Sequence, residues 1–226
     1  MRQWLAYLLL TSLTVHPLYA AEYFVTKTGN DANNGRSKAT PFRTVQKGVD
    51  TLDPGDTLTI MPGEYRENVR REKIGNQKKT TVIRAHIPGT VQLRGDLPAP
   101  AFHRVKGSDH VYVADFHDAG HVAAVNEQDT LTILKPMTDA SELAYVPGNF
   151  HYDEEAGKLY IASSDWRPPS EHHYTVSVTP THGFYLADAH RVTIEGLAVT
   201  GFKAASQQPG RDWTLASTWG LFLAGA

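Results

Sequence analysis

The stretch PFRTVQKGVDTLDPGDTLTIMPGEYRE, residues 41–67, carries the information that decides the fold. Phe42, Val45, Val49 and Leu52 recur at three- and four-residue intervals, the period of one apolar helix face. Pro41 suits a first helical turn, where its missing N–H costs nothing. Asp53-Pro54-Gly55-Asp56 cannot continue a helix. The next residues, 57–61, alternate in a β-prone way. The stretch therefore predicts one short amphipathic helix, a tight turn and a strand.

Downstream the pattern stays with strands. Segments 80–85, 91–94, 111–113, 130–134, 158–162, 175–178, 183–186, 191–194 and 197–200 are short, β-prone and bounded by Gly, Pro or Asn. Leu58 and Val82 lie 24 residues apart, about one coil of a β-solenoid. A solenoid must repeat. Residues 183–189, GFYLADA, match residues 220–226, GLFLAGA, at the glycine, the second leucine position and both alanines. After the first copy, HRVTIEGLAVTG (190–201) reads as two strands joined at a Glu-Gly corner. Each coil buries its inner face on the next, and terminal coils need a polar cap. An apolar coil at Ala226 is therefore expected to continue into further coils of a longer protein, the alternative being a natural end on that coil.

Upstream, residues 5–15 are almost wholly apolar, preceded by Arg2 and followed by Pro17, Ala20 and Ala21. This is the pattern of a secretory signal peptide, with cleavage expected after Ala20. The run is too short for a membrane span, which needs about 20 apolar residues. The expected location is secreted, periplasmic or cell-surface. The chain has no cysteine, so its stability must come from burial rather than a disulfide framework. Removing the leader takes Arg2 alone among the charged side chains and leaves 21 basic against 24 acidic residues. So small an imbalance argues against nucleic acid or anionic lipid as partner.

Residues 22–95 resemble the N-terminal region of secreted right-handed parallel β-helix proteins of the pectate-lyase-like superfamily. The resemblance rests on Tyr23-Phe24-Val25 with Thr28-Gly29-Asn30-Asp31, on 41–47 (PFRTVQK), on 54–58 (PGDTL), on 62–67 (PGEYRE), and on 81–95 with its TVIRA, PG and VQLRG pieces. It implies an all-β, right-handed parallel β-helix (solenoid) with a short N-terminal capping helix. Pro62-Gly63-Glu64-Tyr65 would be the turn closing the first coil, with Gly63 free to take positive φ. Residues 145–161 read as a hairpin around an Asp-Glu-Glu-Ala-Gly turn and resemble the small β insert of some secreted β-helix glycoside hydrolases and lyases. The expected organisation is a signal peptide at 1–20, cap and first coils at 21–102, a β-rich insert at 103–174 and resumed coils at 175–226.

The resemblance implies a carbohydrate-active protein with a polysaccharide partner, either a lyase or a glycoside hydrolase. A non-enzymatic surface or adhesion β-helix shares the same opening motifs. A lyase would need a base and a cation for the uronate, with Ca²⁺ held by converging oxygens. Asp109, Asp115 and Asp118, and Asp153, Glu154 and Glu155, have no calcium spacing and read as solvated turns. A hydrolase needs two carboxylates roughly 5–9.5 Å apart, for which Asp188 and Glu195 are the candidates, although a solvent-facing position or coil corner explains each equally well. His110, His117 and His121 match no zinc motif, so no metal site or other cofactor is evident. His172 and His173 beside Pro168-Pro169 read as linker. Trp166, Trp213 and Trp219 offer faces for sugar stacking or for packing over a coil. The main catalytic residues are expected beyond Ala226.

Overall fold

The computed structural model describes residues 20–117, 122–178, 182–202 and the backbone of 221–223. Leader residues 1–19, Trp213 and Trp219 lie outside the described residues. The chain opens with strand β1 (Glu22–Val25), then a loop, then helix α1 (Val45–Thr51). Five strands follow: β2 (Thr57–Ile60), β3 (Gly63–Tyr65), β4 (Val69–Gly75), β5 (Thr81–Ala85) and β6 (Val91–Arg94). A section that is antiparallel except for the parallel pair β12–β13 comes next, made of β7 (Asp96–Pro98), β8 (His103–Arg104), β9 (Tyr112–Asp115), β10 (Ala124–Glu127), β11 (Thr132–Ile133), β12 (Lys135–Pro136), β13 (Asn149–Asp153), β14 (Lys158–Ala162) and β15 (Tyr174–Ser177). The chain then returns with β16 (Phe184–His190), β17 (Val192–Glu195), β18 (Leu197–Thr200) and β19 (Leu221–Leu223).

The strands outside the antiparallel section form three parallel sheets: sheet A, β1-β2-β5-β17; sheet B, β3-β6-β18; and sheet C, β4-β16-β19. From β2 onward these strands visit A, B and C in turn. Among the described residues α1 is the one α-helix, so the chain is mostly β, with parallel sheets. Register stacks like on like. Tyr23, Leu58, Ile83 and Ile194 form one column of sheet A, and Tyr65, Leu93 and Val199 one of sheet B. Phe184 pairs with Leu221 and Leu186 with Leu223, so the described part of the second repeat copy, 221–223, lies beside the first. Leu58, Ile83, Val91, Leu93, Phe184 and Leu186 are at most 1% exposed and belong to one core. Burying each contributes roughly 1.5–3 kcal/mol.

Three expectations shift in detail. The partner of Leu58 is Ile83 rather than Val82, because the buried face of β5 holds Thr81, Ile83 and Ala85 while Val82 is half-exposed. The helix begins later than the apolar spacing suggested. Thr44 is its N-cap and accepts from the Lys47 N–H, while Phe42 bridges Val25 in parallel and exchanges backbone hydrogen bonds with Phe24 and Thr26. Phe42 thus extends the strand edge, and Pro41 stays outside the helix. Finally, 63–65 of the PGEY motif is strand β3, so the corner falls at Met61-Pro62, and Gly63 does take a positive φ of 150°.

Two carboxylates organise the helix start. Asp31 accepts from the N–H groups of Arg43 and Thr44 and from the Thr44 hydroxyl at 2.8–2.9 Å. Glu67 accepts from the Val45 and Gln46 N–H groups at 2.9 Å each. The Thr44, Val45 and Gln46 N–H groups are among the open donors that every helix N-terminus leaves. Gln46 in turn donates to the Arg70 carbonyl and accepts from the Arg70 N–H. The helix is therefore fastened to β4 and buries Val45 and Val49 in the common core.

The antiparallel section leaves sheet B at Asp96 and comes back beside its own start. Ser177 pairs with Asp96, and the Val178 N–H donates to the Gly95 carbonyl at 3.2 Å. It occupies the place that 66–68 fills in the previous circuit, and its strands extend past 103–174 on both sides. Its two sheets, β11-β10-β15-β7 and β12-β13-β14-β9-β8, enclose a second core that includes Val125, Leu159, Ile161 and Val176. Strands β13 and β14 form the hairpin read at 145–161, turned at Asp153, whose carboxylate accepts from the Ala156 N–H.

Candidate functional site

A cleft of about 620 Å³ opens where the insert leaves the parallel sheets. One wall is the outer face of sheet B. Strand alternation turns Val91 and Leu93 into the core and Gln92 and Arg94 outward, and Thr200 joins them from β18 in register with Arg94. The facing wall comes from the insert. Asn126 and Gln128 face the cleft beside the buried Glu127, while Val125 is buried in the core of the insert; Ser177, Thr132, Leu131 and Ile133 complete the wall.

Arg94 and Asp96 meet at the root. The guanidinium Nε and a terminal nitrogen donate to the two Asp96 oxygens at 2.7 and 2.8 Å, and Glu64 lies 3.6 Å away. Asp96 is 3% exposed. Burial works to raise its pKa, but hydrogen bonds from Arg94 and Thr175 and the Arg94 charge hold it below the usual carboxylate range. Arg94 is correspondingly raised, first by its hydrogen bond to Asp96. The polar chain continues through the Thr175 hydroxyl, which accepts from Gln128 at 2.9 Å, while Arg66 donates to the Asp96 carbonyl at 3.0 Å. Close approach at this root requires a glycine. Gly201 has φ of 74°, and a Cβ there would lie 2.5 Å from the Asp96 carboxyl carbon.

Chemically the cleft offers amides and hydroxyls, together with an arginine whose charge is already matched. Leu131 stands on its rim 90% exposed with φ of 55° beside the half-exposed Ile133.

The sequence candidates lie elsewhere. Asp188 sits on sheet C at a left-handed bend (φ 44°), with its carboxylate 3.1 Å from His190 Nε2. Glu195 ends β17 on sheet A, exposed and in register with Arg84. They occupy different sheets, and neither lines the cleft. Trp166 is half-buried against the small core of Val111, Leu143 and Ala162, with its ring 4.7 Å from that of His110. His117 stands against Gly157, while Asp118 and His121 lie outside the described residues. Among the described residues no group of three or more His, Asp or Glu side chains could hold a metal ion, and no helix is long and apolar enough to cross a membrane.

The cleft residues gave little signal in the sequence. Gln92 and Arg94 read as the outward half of an alternating strand, but Asn126, 34 residues beyond Gln92, has no local pattern that places it opposite them. His172 is a correction of its own. Rather than lying in a linker, its side chain is fully buried between carboxylates.

Residues 27–96 match the model of a family described as a protein of unknown function, DUF1565. Among solved structures, the chain is similar to one titled as the complex of XylC with xylose, a β-helix protein, with a TM-score of 0.62 and 20% identity. That match covers 84% of this chain and 37% of XylC, so the chain spans little more than a third of that protein's length. A structure titled glycoside hydrolase is also similar, at TM-score 0.46 and 13% identity over 79% of this chain and 51% of that one. No curated protein matches the chain.

Proposed function

We propose that sheets A, B and C are the walls of a right-handed parallel β-helix, and that the cleft at the insert root binds a glycan as part of an extracytoplasmic carbohydrate-active enzyme. The cleft carries this reading. Its volume lies within the roughly 300–1,000 Å³ usual for ligand sites, and two separate sheets converge on it with Gln92, Asn126, Gln128, Thr132, Ser177 and Thr200. Amides and hydroxyls both donate and accept, which is what paired sugar hydroxyls require. The fold of XylC, whose title names xylose, supports the same class of ligand.

Hydrolase chemistry fits better than lyase chemistry. A lyase must neutralise a uronate carboxylate, and the Arg94 guanidinium in the cleft is already engaged by Asp96. The described residues supply a binding wall, and the catalytic carboxylate pair is assigned outside them. Calorimetric titration with neutral xylan- and glucan-derived oligosaccharides tests the binding. Gln92→Ala with Asn126→Ala should weaken it at least tenfold at an unchanged melting temperature. No binding of any glycan, or full affinity in the double variant, would overturn the assignment.

Export belongs to the same proposal. Ala20 is exposed, whereas the Ala21 N–H donates to Asp56 Oδ1 at 2.7 Å, so cleavage after Ala20 would leave the new N-terminus in contact with Asp56. Cleavage there would give Asp56, only 5% exposed, an ammonium partner. N-terminal sequencing of the exported protein should begin at Ala21; a retained leader would contradict the assignment.

A further inference from the structure

Behind the insert wall of the cleft lies a buried ionisable group that the binding face does not use. Glu127 on β10 borders the cleft but is fully buried. Its oxygens accept from the hydroxyls of Thr130 at 2.6 Å, Ser164 at 2.5 Å and Tyr174 at 2.5 Å, and from the Ser164 N–H at 3.2 Å. His172 Nδ1 lies 3.8 Å from Glu127 Oε1 and 2.8 Å from Asp129 Oδ2, and Nε2 lies 3.1 Å from Asp165 Oδ1. The imidazole is completely shielded from solvent. Ionised carboxylates only accept hydrogen bonds. A neutral imidazole has one N–H and would turn a lone pair toward the other carboxylate, so the doubly protonated ring is the form that satisfies both contacts.

The facing groups come from three elements. Glu127, Asp129 and Thr130 belong to β10 and its turn. Asp165 belongs to the segment after β14, where its other oxygen holds Arg167 at 2.5 Å, and Arg167 also lies 3.6 Å from Glu171. Tyr174 on β15 sets its ring edge-on to the imidazole at 5.9 Å, and the His173 N–H donates to Asp129. Among the described residues, the cation in contact with Glu127 is His172. The same turn carries the cleft wall, since Asn126, Gln128 and Leu131 flank Glu127 and Asp129.

We propose that His172 is a positioning residue for the cleft: its imidazolium clamps the 127–130 turn through Glu127, Asp129 and Asp165, and loss of its proton releases the wall that carries Asn126 and Gln128. The meaning for ligand binding rests on the glycan reading; the clamp itself does not.

The direction with pH follows from the partners. Burial by itself would lower the His172 pKa, but the hydrogen bond to Asp129, the Glu127 charge and the hydrogen bond to Asp165 raise it above 6.5. The clamp is therefore complete below 6.5 and fades as pH rises through the higher folded value. On the acid side it persists, because the His173 N–H and then His172 hold Asp129 down to about 2. Glu127 and Asp165 are also lowered, their hydrogen bonds outweighing burial.

The test uses the full chain with no sugar present, so that its failure stays separate from a failure of glycan binding. Ring proton shifts of His172 and amide exchange of Asn126, Gln128 and Leu134 are followed from pH 5 to 10, with exchange corrected for its intrinsic pH dependence, in wild type, His172→Gln and Asp165→Asn. The ring should titrate above 6.5, wild-type protection should fall at least tenfold through that same midpoint, Asp165→Asn should move the midpoint down, and His172→Gln should show low protection throughout. A ring titrating at or below 6.5, or protection that ignores its charge, overturns the clamp. If His172→Gln does not fold, wild type and Asp165→Asn decide the question by the same two criteria.

Discussion

Glu67 shows how a residue can be plain in the sequence while its task is hidden. It ends the PGEYRE run, and its carboxylate reaches back 22 and 21 residues to the open N–H groups of Val45 and Gln46. Asp31 does the same from the TGND loop, 12 and 13 residues away. Both motifs were legible as turns because turn chemistry is local; their partners were not, because nothing in residues 62–67 names a helix N-terminus. Glu67→Gln should destabilise the chain by about 1–3 kcal/mol, since one N–H then faces an amide donor. Burial raises the Glu67 pKa against the lowering effect of those hydrogen bonds. Its ionic form therefore costs stability as pH rises from 4.5 through the higher folded value, and the variant should lose that fall. Melting curves from pH 4 to 7 check both; an unchanged melting temperature would contradict the helix anchor.

At the scale of elements, strand alternation carried most of the information. The buried faces of β5, β6 and β16 followed it, and 184–186 of the first repeat copy pair in register with 221–223 of the second. Helix α1 was read one turn too early because Phe42 and Val45 keep helical spacing although Phe42 belongs to a strand bridge. The insert hairpin was legible from its turn residues, but the root of the insert was not, since Asp96 and Ser177 are brought together across 81 positions by pairing alone. That root depends on Gly201. Gly201→Ala puts a side chain into left-handed backbone and against Asp96, at an expected cost of about 1–3 kcal/mol. Chemical denaturation measures the loss, and the variant should also bind glycan more weakly because the end of β18 must move away from Asp96. Wild-type stability would show that the close approach is unimportant.

Across the whole molecule, two cores share one site. The parallel sheets provide a rigid face with Gln92, Arg94 and Thr200, and the insert, with its own core, holds Asn126 and Gln128 opposite. Asp188 and Glu195 lie only seven residues apart, but a sequence does not show which of the three sheets each will join, and they fall on sheets C and A. The cleft was illegible for a related reason: its walls are separate in the chain and meet only because the insert returns to its starting corner. The most direct test is a backbone amide chemical-shift map of the full chain titrated with neutral oligosaccharides at pH 6. Shifts should concentrate at Gln92, Arg94, Asn126, Gln128, Ser177 and Thr200; no shifts with any glycan, or shifts gathered on sheet A or sheet C, would contradict the cleft as the glycan site.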